Sequence, residues 1–375
     1  MSKKLFLSIP TLLGTESIVA NEVRNLGYET TEVIDGRVTF LGDAEAVCLA
    51  NINLRCAERV MIKMAEFKAT TFEMLFDGVK NIQWEEYIGK DCAFPVSGYS
   101  LKSALHSVPD CQSIVKKAVV TRLGGKYGVS WFEETGPLYP IRFSIMKDVV
   151  TLYIDTSGDS LYKRGYRKEG VVAPMRETLA YAMIDISRWQ GDRPFADPFC
   201  GSGTLPIEAA MYALNIAPGM KRHFIAEKWK EQIPYRLWKD TREEARENII
   251  TDAEPLIFAS DILPEAVRNA EVNAKNAGVS EHIRFSVCDM KDAEPFEEKG
   301  VIVCNPPYGE RLMDKTEVKK LYSDMGRKFS EYKNAKKYIL TSFDEFEKYY
   351  GKKADKKRKL YNGMLKCNVY QYFRV

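Results

Sequence analysis

With 375 residues, 45% of them hydrophobic and 29% charged, the chain can bury at least one full core and has room for two or three domains, which excludes a disordered composition. Fifty-five Lys and Arg against 52 Asp and Glu leave a net charge of only +3, so overall electrostatics do not mark a nucleic-acid binder and any such contact must come from local clusters. No apolar run reaches the ~18 residues of a membrane span, and the N-terminal stretch is broken by Pro10 and Gly14 without a small-residue cleavage site, so it does not read as a secretory signal. Eight cysteines lacking any C-x-x-C pair, with only His106, His223 and His282 beside them, predict reduced thiols in a cytoplasmic protein and no metal site.

In chain order, residues 4–9 read as a strand, Thr15–Leu26 as a helix ended by Gly27, and Glu32–Ile34 with Arg37–Phe40 as a hairpin around Asp35-Gly36. Residues 43–55 read as a helix with Asp43 at its N-cap. A helix near 71–80 leads to a strand over Asp91–Val96 ended by Ser97-Gly98, and Ser113–Leu123 carries helical periodicity. Strands at 141–146 and 149–155 close this α+β half, and the Gly-, Lys-, Arg- and Tyr-rich residues 158–172 read as a linker. From Ala173 helices and strands alternate: a helix from Pro174 to about Trp189, a strand ending at Asp197, a helix over Thr204–Leu214, and strands at 256–260, 283–287, 300–304 and 336–342. A helix spans 264–277, segment 215–255 is an insertion, and a final hairpin turns at Asn362-Gly363. Alternation of this kind implies a doubly wound, mostly parallel sheet to which the closing hairpin adds an antiparallel edge strand.

The run Asp197-Pro-Phe199-Cys200-Gly201-Ser-Gly203-Thr204 falls where a strand turns into a helix. Glycines at 201 and 203 permit a tight turn and leave no side chain between backbone and ligand, while the first N–H groups of the helix are free. A carboxylate at the strand end suits a cationic amine and repels a pyrophosphate. Asp261 ends the second strand, 64 positions after Asp197, and Asp289 follows the third; three acids at successive strand ends can hold an amino group, ribose hydroxyls and an adenine, with Ile262 and Met290 beside them.

The apolar run Val301–Cys304 delivers Asn305-Pro306-Pro307-Tyr308-Gly309. Two prolines donate no N–H and hold the chain rigid, so the Asn305 side-chain oxygen and the Pro306 carbonyl can accept the two protons of an –NH2 group. Tyr308 can stack on an extruded base. Cys200 and Cys304 read as small packing residues.

These residues are those of the Asn-Pro-Pro-Tyr amino-methyltransferases. Together with Leu161–Arg167, Ala173–Leu179, Asp197–Ala210 and Asn305–Leu312, and with Val96–Ser103 and Gln112–Ala118 upstream, the chain resembles the bacterial THUMP-domain class I RNA methyltransferases, closest to the N-terminal half of the 23S ribosomal RNA guanine-N2 enzymes. The resemblance implies a ferredoxin-like segment over 1–44, a THUMP domain over 45–157, a linker over 158–172 and a Rossmann-like methyltransferase domain over 173–375. It also implies S-adenosylmethionine as methyl donor and structured RNA as partner, with rRNA favoured over tRNA. One departure stands out: some relatives carry a second methyltransferase half.

Candidate phosphate contacts are Lys102, Ser103, Lys116, Lys117, Arg122 and Lys126 in the THUMP half, then Lys163, Arg164, Arg167 and Lys168 interleaved with Tyr162 and Tyr166. Arg311, three residues past Tyr308, would project near the target base, and the basic run 352–359 reads as a soluble loop. A tRNA guanine-N2 enzyme, a DNA adenine-N6 methyltransferase and a non-catalytic RNA assembly factor remain open, whereas a dinucleotide oxidoreductase fails for want of G-x-G-x-x-G.

Overall fold

In β1 (Leu5–Pro10) Leu7 and Ile9 are fully buried on one face, while on the other Phe6 is half exposed and Ser8 is covered. The computed structural model from which this is read describes residues 3–167, 175–308 and 314–374. Helix α1 (Glu16–Asn25) buries Ile18, Val19 and Val23, and β2 (Thr30–Ile34) with β3 (Arg37–Gly42) forms the expected hairpin. Helix α2 (Ala44–Asn53) starts on Asp43, whose carboxylate accepts from the Ala46 N–H at 3.2 Å. Then follow β4 (Met61–Lys68), α3 (Phe72–Lys80), β5 (Val96–Leu101), α4 (Val108–Tyr127), β6 (Ile141–Met146) and β7 (Val149–Asp155). Among the described residues these strands form one sheet, ordered β2-β3-β1-β4-β7-β6-β5. Its join is the antiparallel pairing of Leu7 with Ile62 and Ser8 with Met61.

Two boundaries differ from expectation. Strand β5 begins at Val96, where the predicted strand stopped, because Gly98 lies inside it: a side chain there would meet the Phe143 carbonyl at 2.3 Å. Helix α4 runs 20 residues, well beyond Ser113–Leu123, from Pro109 in its first turn to Gly128, which takes the left-handed φ of 66°.

The second half contributes α5 (Glu177–Ser187), β8 (Phe195–Asp197), α6 (Thr204–Ala213), α7 (Tyr235–Glu247), β9 (Ile257–Asp261), α8 (Pro264–Ala277) and β10 (Ile283–Val287). It ends with β11 (Gly300–Cys304), α9 (Lys315–Glu331), β12 (Ala335–Thr341), α10 (Phe346–Tyr350), β13 (Lys356–Asn362) and β14 (Leu365–Tyr372). The expected helix start at Pro174 lies outside the described residues. The sheet order is β10-β9-β8-β11-β12-β14-β13, with β8 to β12 parallel. The antiparallel strand is therefore not the edge: β14 inserts between β12 and β13, and β13 closes the sheet. The basic run expected as loop supplies the first four residues of β13, since an edge strand tolerates lysines that face water. Helix α9, absent from the sequence reading, is opened by Asp314 and Glu317 in a capping box and buries Val318, Tyr322, Met325 and Phe329.

The halves are fastened by the segments expected as insertion and linker. Trp229 stacks on Tyr139 with ring centroids 4.3 Å apart and donates to the Leu138 carbonyl at 2.9 Å. The Gly219 N–H donates to the Ile52 carbonyl at 2.8 Å, and Arg176 pairs with Glu58 at 2.9 Å. Leu161, Arg164 and Tyr166, in the described part of the linker, are all buried. Among the described residues no helix is long and apolar enough to cross a membrane.

Candidate active site

Strands β8 and β11 are neighbours, Val301 opposite Phe195 and Ile302 opposite Ala196. Because they run the same way, the glycine loop after Asp197 and the proline corner after Cys304 leave the sheet at one edge. On the other flank of β8, Asp197 lies opposite Ala259, and beyond it Val287 lies opposite Asp261. The chain progresses outward in both directions from β8, which makes this edge the switch point where open α/β sheets take ligands.

The loop is built around its acids. Asp197 is buried and accepts from the Phe199 N–H at 3.1 Å, its one hydrogen-bond donor among the described residues. Burial pushes its carboxyl well above the usual carboxylate range, and the Asp261 charge adds to the shift. Asp261 clamps the loop, taking the Gly201 N–H on Oδ2 at 3.0 Å and the Leu263 N–H on Oδ1 at 3.0 Å. Gly201 has φ 50°, and a side chain there would meet no atom of the described residues within 4 Å. Gly203 serves packing instead: a Cβ would meet the Ala270 Cβ at 2.9 Å, so α6 and α8 can approach. Asn273 fixes the loop by donating to the Ser202 carbonyl at 2.9 Å. Asp289 accepts from the Lys291 N–H at 3.0 Å, Met290 behind it is buried, and Ile262 is 60% exposed on the same rim. Burial pushes the Cys200 and Cys304 thiols up, which keeps both protonated.

At the corner, Asn305 Oδ1 is buried and, among the described residues, has no hydrogen-bond partner, while Pro306 is buried against β11. A buried acceptor left unpaired costs about 1–3 kcal/mol, so such atoms are uncommon unless a ligand satisfies them. The Tyr322 hydroxyl, on α9, donates to the Pro307 carbonyl at 3.2 Å and contacts Thr341 Oγ1 at 2.8 Å. Asn362 donates to the Tyr308 hydroxyl at 3.1 Å, and burial pushes that phenol up, so the ring is anchored and neutral. Asn273, Tyr322 and Asn362 were not anticipated. The signal that could have found Tyr322 is the 318, 322, 325, 329 spacing of α9, whereas Asn362 looked only like a turn residue.

The expected RNA contacts divide. Lys102, Lys117 and Lys126 are exposed and, among the described residues, in no ion pair. Ser103 instead pins a turn, donating to the Leu101 carbonyl and accepting from the Asp148 N–H. Lys116 is held by Glu134 and sits 3.6 Å over the Phe94 ring, and Arg122 is held by Glu85. Arg167 ties the linker to α6 through Thr204 Oγ1 and the Met175 carbonyl. Its neighbour Glu177, 3.5 Å away, is pushed up to about 7 by burial. Arg164 is the plain correction: its side chain is 2% exposed and bonds Glu208, the Leu161 carbonyl and the Arg55 carbonyl, out of reach of any phosphate. Lys168 and Arg311 lie outside the described residues.

Arg164→Ala should therefore act on the fold. Removing one partner strands the Glu208 carboxylate in the interior, at a cost of about 3–5 kcal/mol, which a thermal melt would read as a drop of several degrees. An unchanged melt with weakened RNA affinity would restore the surface role.

Three family models match in chain order: an RlmL ferredoxin-like domain over residues 7–61, a THUMP domain over 69–155, and an RMKL-like methyltransferase domain over 164–371, more than half of the chain. This chain belongs to the RMKL-like methyltransferase family. It is 48% identical over 373 residues, 99% of its length and 96% of the relative's, to YpsC of Bacillus subtilis (strain 168), whose name carries the words RNA methyltransferase. It is 35% identical to the ribosomal RNA large subunit methyltransferase K/L of Psychromonas ingrahamii over 97% of this chain, but spans only about half (49%) of that relative. Among solved structures, SMU.472, a methyltransferase complexed with SAH, is 42% identical over the full length of both chains with a TM-score of 0.94. A protein of Listeria monocytogenes, described as a predicted N6-adenine-specific DNA methylase, is 46% identical over 99% of this chain and 96% of its own, with a TM-score of 0.93. Members of this RMKL-like family take their methyl group from S-adenosylmethionine, and the open space at Gly201 beside the sparsely bonded, buried Asp197 carboxyl fits that cofactor's compact cationic end.

Proposed function

We propose that the chain methylates the exocyclic N2 amino group of a guanine in 23S ribosomal RNA, working in the cytoplasm, with the THUMP domain over 45–157 gripping RNA behind a ferredoxin-like segment over 1–44 and residues 173–375 carrying out the transfer. The observation that carries an amine as the acceptor group is Asn305 Oδ1, buried without a partner among the described residues, at the same sheet edge as the glycine loop. Among the described residues no donor reaches the Pro306 carbonyl either, so the corner offers two acceptors to one –NH2. With both amine hydrogens held, the nitrogen lone pair points toward the loop. The Tyr308 ring, fixed by Asn362, is set to stack on the base. Asp197 and the Gly201–Thr204 backbone would hold the cofactor's amino-acid end, with Phe199 and Cys200 lining it, Asp261 and Ile262 its ribose, and Asp289 and Met290 its adenine; when bound, the cofactor supplies an already activated methyl group. No strong base is needed, and the amine proton leaves to water after transfer.

RNA is favoured over DNA by the THUMP match and by the relatives named for RNA, although the Listeria monocytogenes structure carries a DNA description. Guanine N2 and rRNA follow the K/L relatives, with tRNA as the second reading. Purified protein with labelled methyl donor should modify ribosomal RNA from cells lacking the gene, and digestion should yield N2-methylguanosine. N6-methyladenosine as product, or transfer to DNA alone, would refute this substrate.

A further inference from the structure

The β13–β14 hairpin ends beside the reacting corner. Asn362, the last residue of β13, holds the Tyr308 hydroxyl at 3.1 Å, and the Cys367 thiol of β14 lies 3.9 Å from the same oxygen. Two residues past Asn362, Met364 is 99% exposed, and Leu365 next to it is half exposed. Between Asn362 and Met364, Gly363 turns at a φ of 65°. A single exposed apolar residue is ordinary; the position of this one is not, since no more than about 7 Å of chain separates it from the residue that anchors Tyr308. The ribbon that carries it is basic. Lys359 and Lys366 are exposed and, among the described residues, in no ion pair, and the pairing of Tyr361 with Lys366 puts both lysines on one face of the ribbon. Lys356 lies at its far end on the other face, Lys357 is held by Glu347, and Arg358 by Gly14 and Ser17.

We infer that Met364 is a wedge that enters the RNA stack in place of the target base when that base swings to Asn305, with the free lysines of the ribbon facing the phosphates of the same RNA helix. This rests on the proposal that RNA is the substrate. A base that leaves its stack exposes the faces of its neighbours, and an unbranched thioether adapts to the irregular gap left behind. Because Asn362 joins the hairpin to Tyr308, the wedge and the ring that receives the base are delivered as one unit. The sign of the surrounding charge selects the occupant: phosphates release counterions on meeting unpaired lysines, and an apolar tip among them suits a base step.

The test compares the full-length wild type with Met364→Ala and Met364→Leu, using folded 23S rRNA transcript as probe and calorimetry with S-adenosylmethionine as the control for an intact site. The wedge acts after docking, so Met364→Ala should lose about tenfold or more in kcat with cofactor and RNA affinities within about threefold, and Met364→Leu should recover most of the loss. An unchanged kcat overturns the inference. So does a loss confined to RNA affinity, or a leucine no better than alanine. A defect seen on ribosomal particles but not on naked transcript overturns it as well and assigns the tip to a protein contact. A wild type that methylates no RNA removes the substrate reading itself, and shows this before any substitution is made.

Discussion

Asn305→Ala should lower kcat for methyl transfer by about a thousandfold while the dissociation constant for S-adenosylmethionine stays within about threefold. The side-chain oxygen is one of two acceptors that set the direction of the amine lone pair, and losing it frees the nitrogen to rotate. The corner itself should persist. Its backbone is braced by Pro306 and Pro307, by the Tyr322 hydroxyl on the Pro307 carbonyl, and by the buried β11 run behind it. Truncation should also leave the cofactor-free protein no less stable, because Asn305 Oδ1 takes no bond from the described residues and an unpaired buried acceptor costs about 1–3 kcal/mol. An inactive protein whose melting temperature matches or exceeds the wild type's is thus the expected pair of results, read by single-turnover kinetics and a thermal melt. Full turnover by the variant would take the acceptor role away from Asn305.

The placement of the candidate site's two runs was legible because each is short and contiguous. The octet at Asp197–Thr204 and the corner at Asn305–Tyr308 each follow an apolar strand, and parallel pairing brings any two such strand ends to one edge. The roles of individual polar groups were less legible, since they depend on partners distant in sequence. Arg164 looked like one more cation in a basic linker, and only the fold shows Glu208, 44 positions on, waiting for it in the interior. Asp261 was expected to bind a ligand, yet it also closes the glycine loop 60 positions upstream. In β5, Gly98 carried the ordinary signal of a strand end; what overrides it is the close approach of Phe143, a long-range contact. The hairpin was legible as a local element, but that β14 and not β13 pairs with β12 is a long-range contact, with Val369 and Tyr370 of β14 buried against the core.

Asp197→Asn should weaken S-adenosylmethionine binding by about a hundredfold and at the same time stabilise the cofactor-free protein at neutral and alkaline pH. Both effects come from one buried carboxyl. Burial holds it well above the usual carboxylate range, with the Asp261 charge adding to the shift and the Phe199 N–H only partly offsetting it. An acid whose folded pKa is raised favours the fold below its unfolded value, and that contribution is lost as pH rises through the folded value. As pH rises the buried Asp197 carboxyl therefore counts against the empty protein, and asparagine should melt a few degrees higher at neutral and alkaline pH while matching wild type in acid. Cofactor affinity runs the other way. A cationic amino group needs the carboxylate, so wild-type affinity should fall as pH is lowered through the raised value, and binding should release a proton, measurable by calorimetry in two buffers of different ionisation heat. The asparagine variant should show neither pH slope nor proton release. If wild-type affinity proved flat across that range, with Asp197→Asn binding equally well, the cationic end of the cofactor would lie elsewhere and the glycine loop would have to be oriented by Asp261 alone.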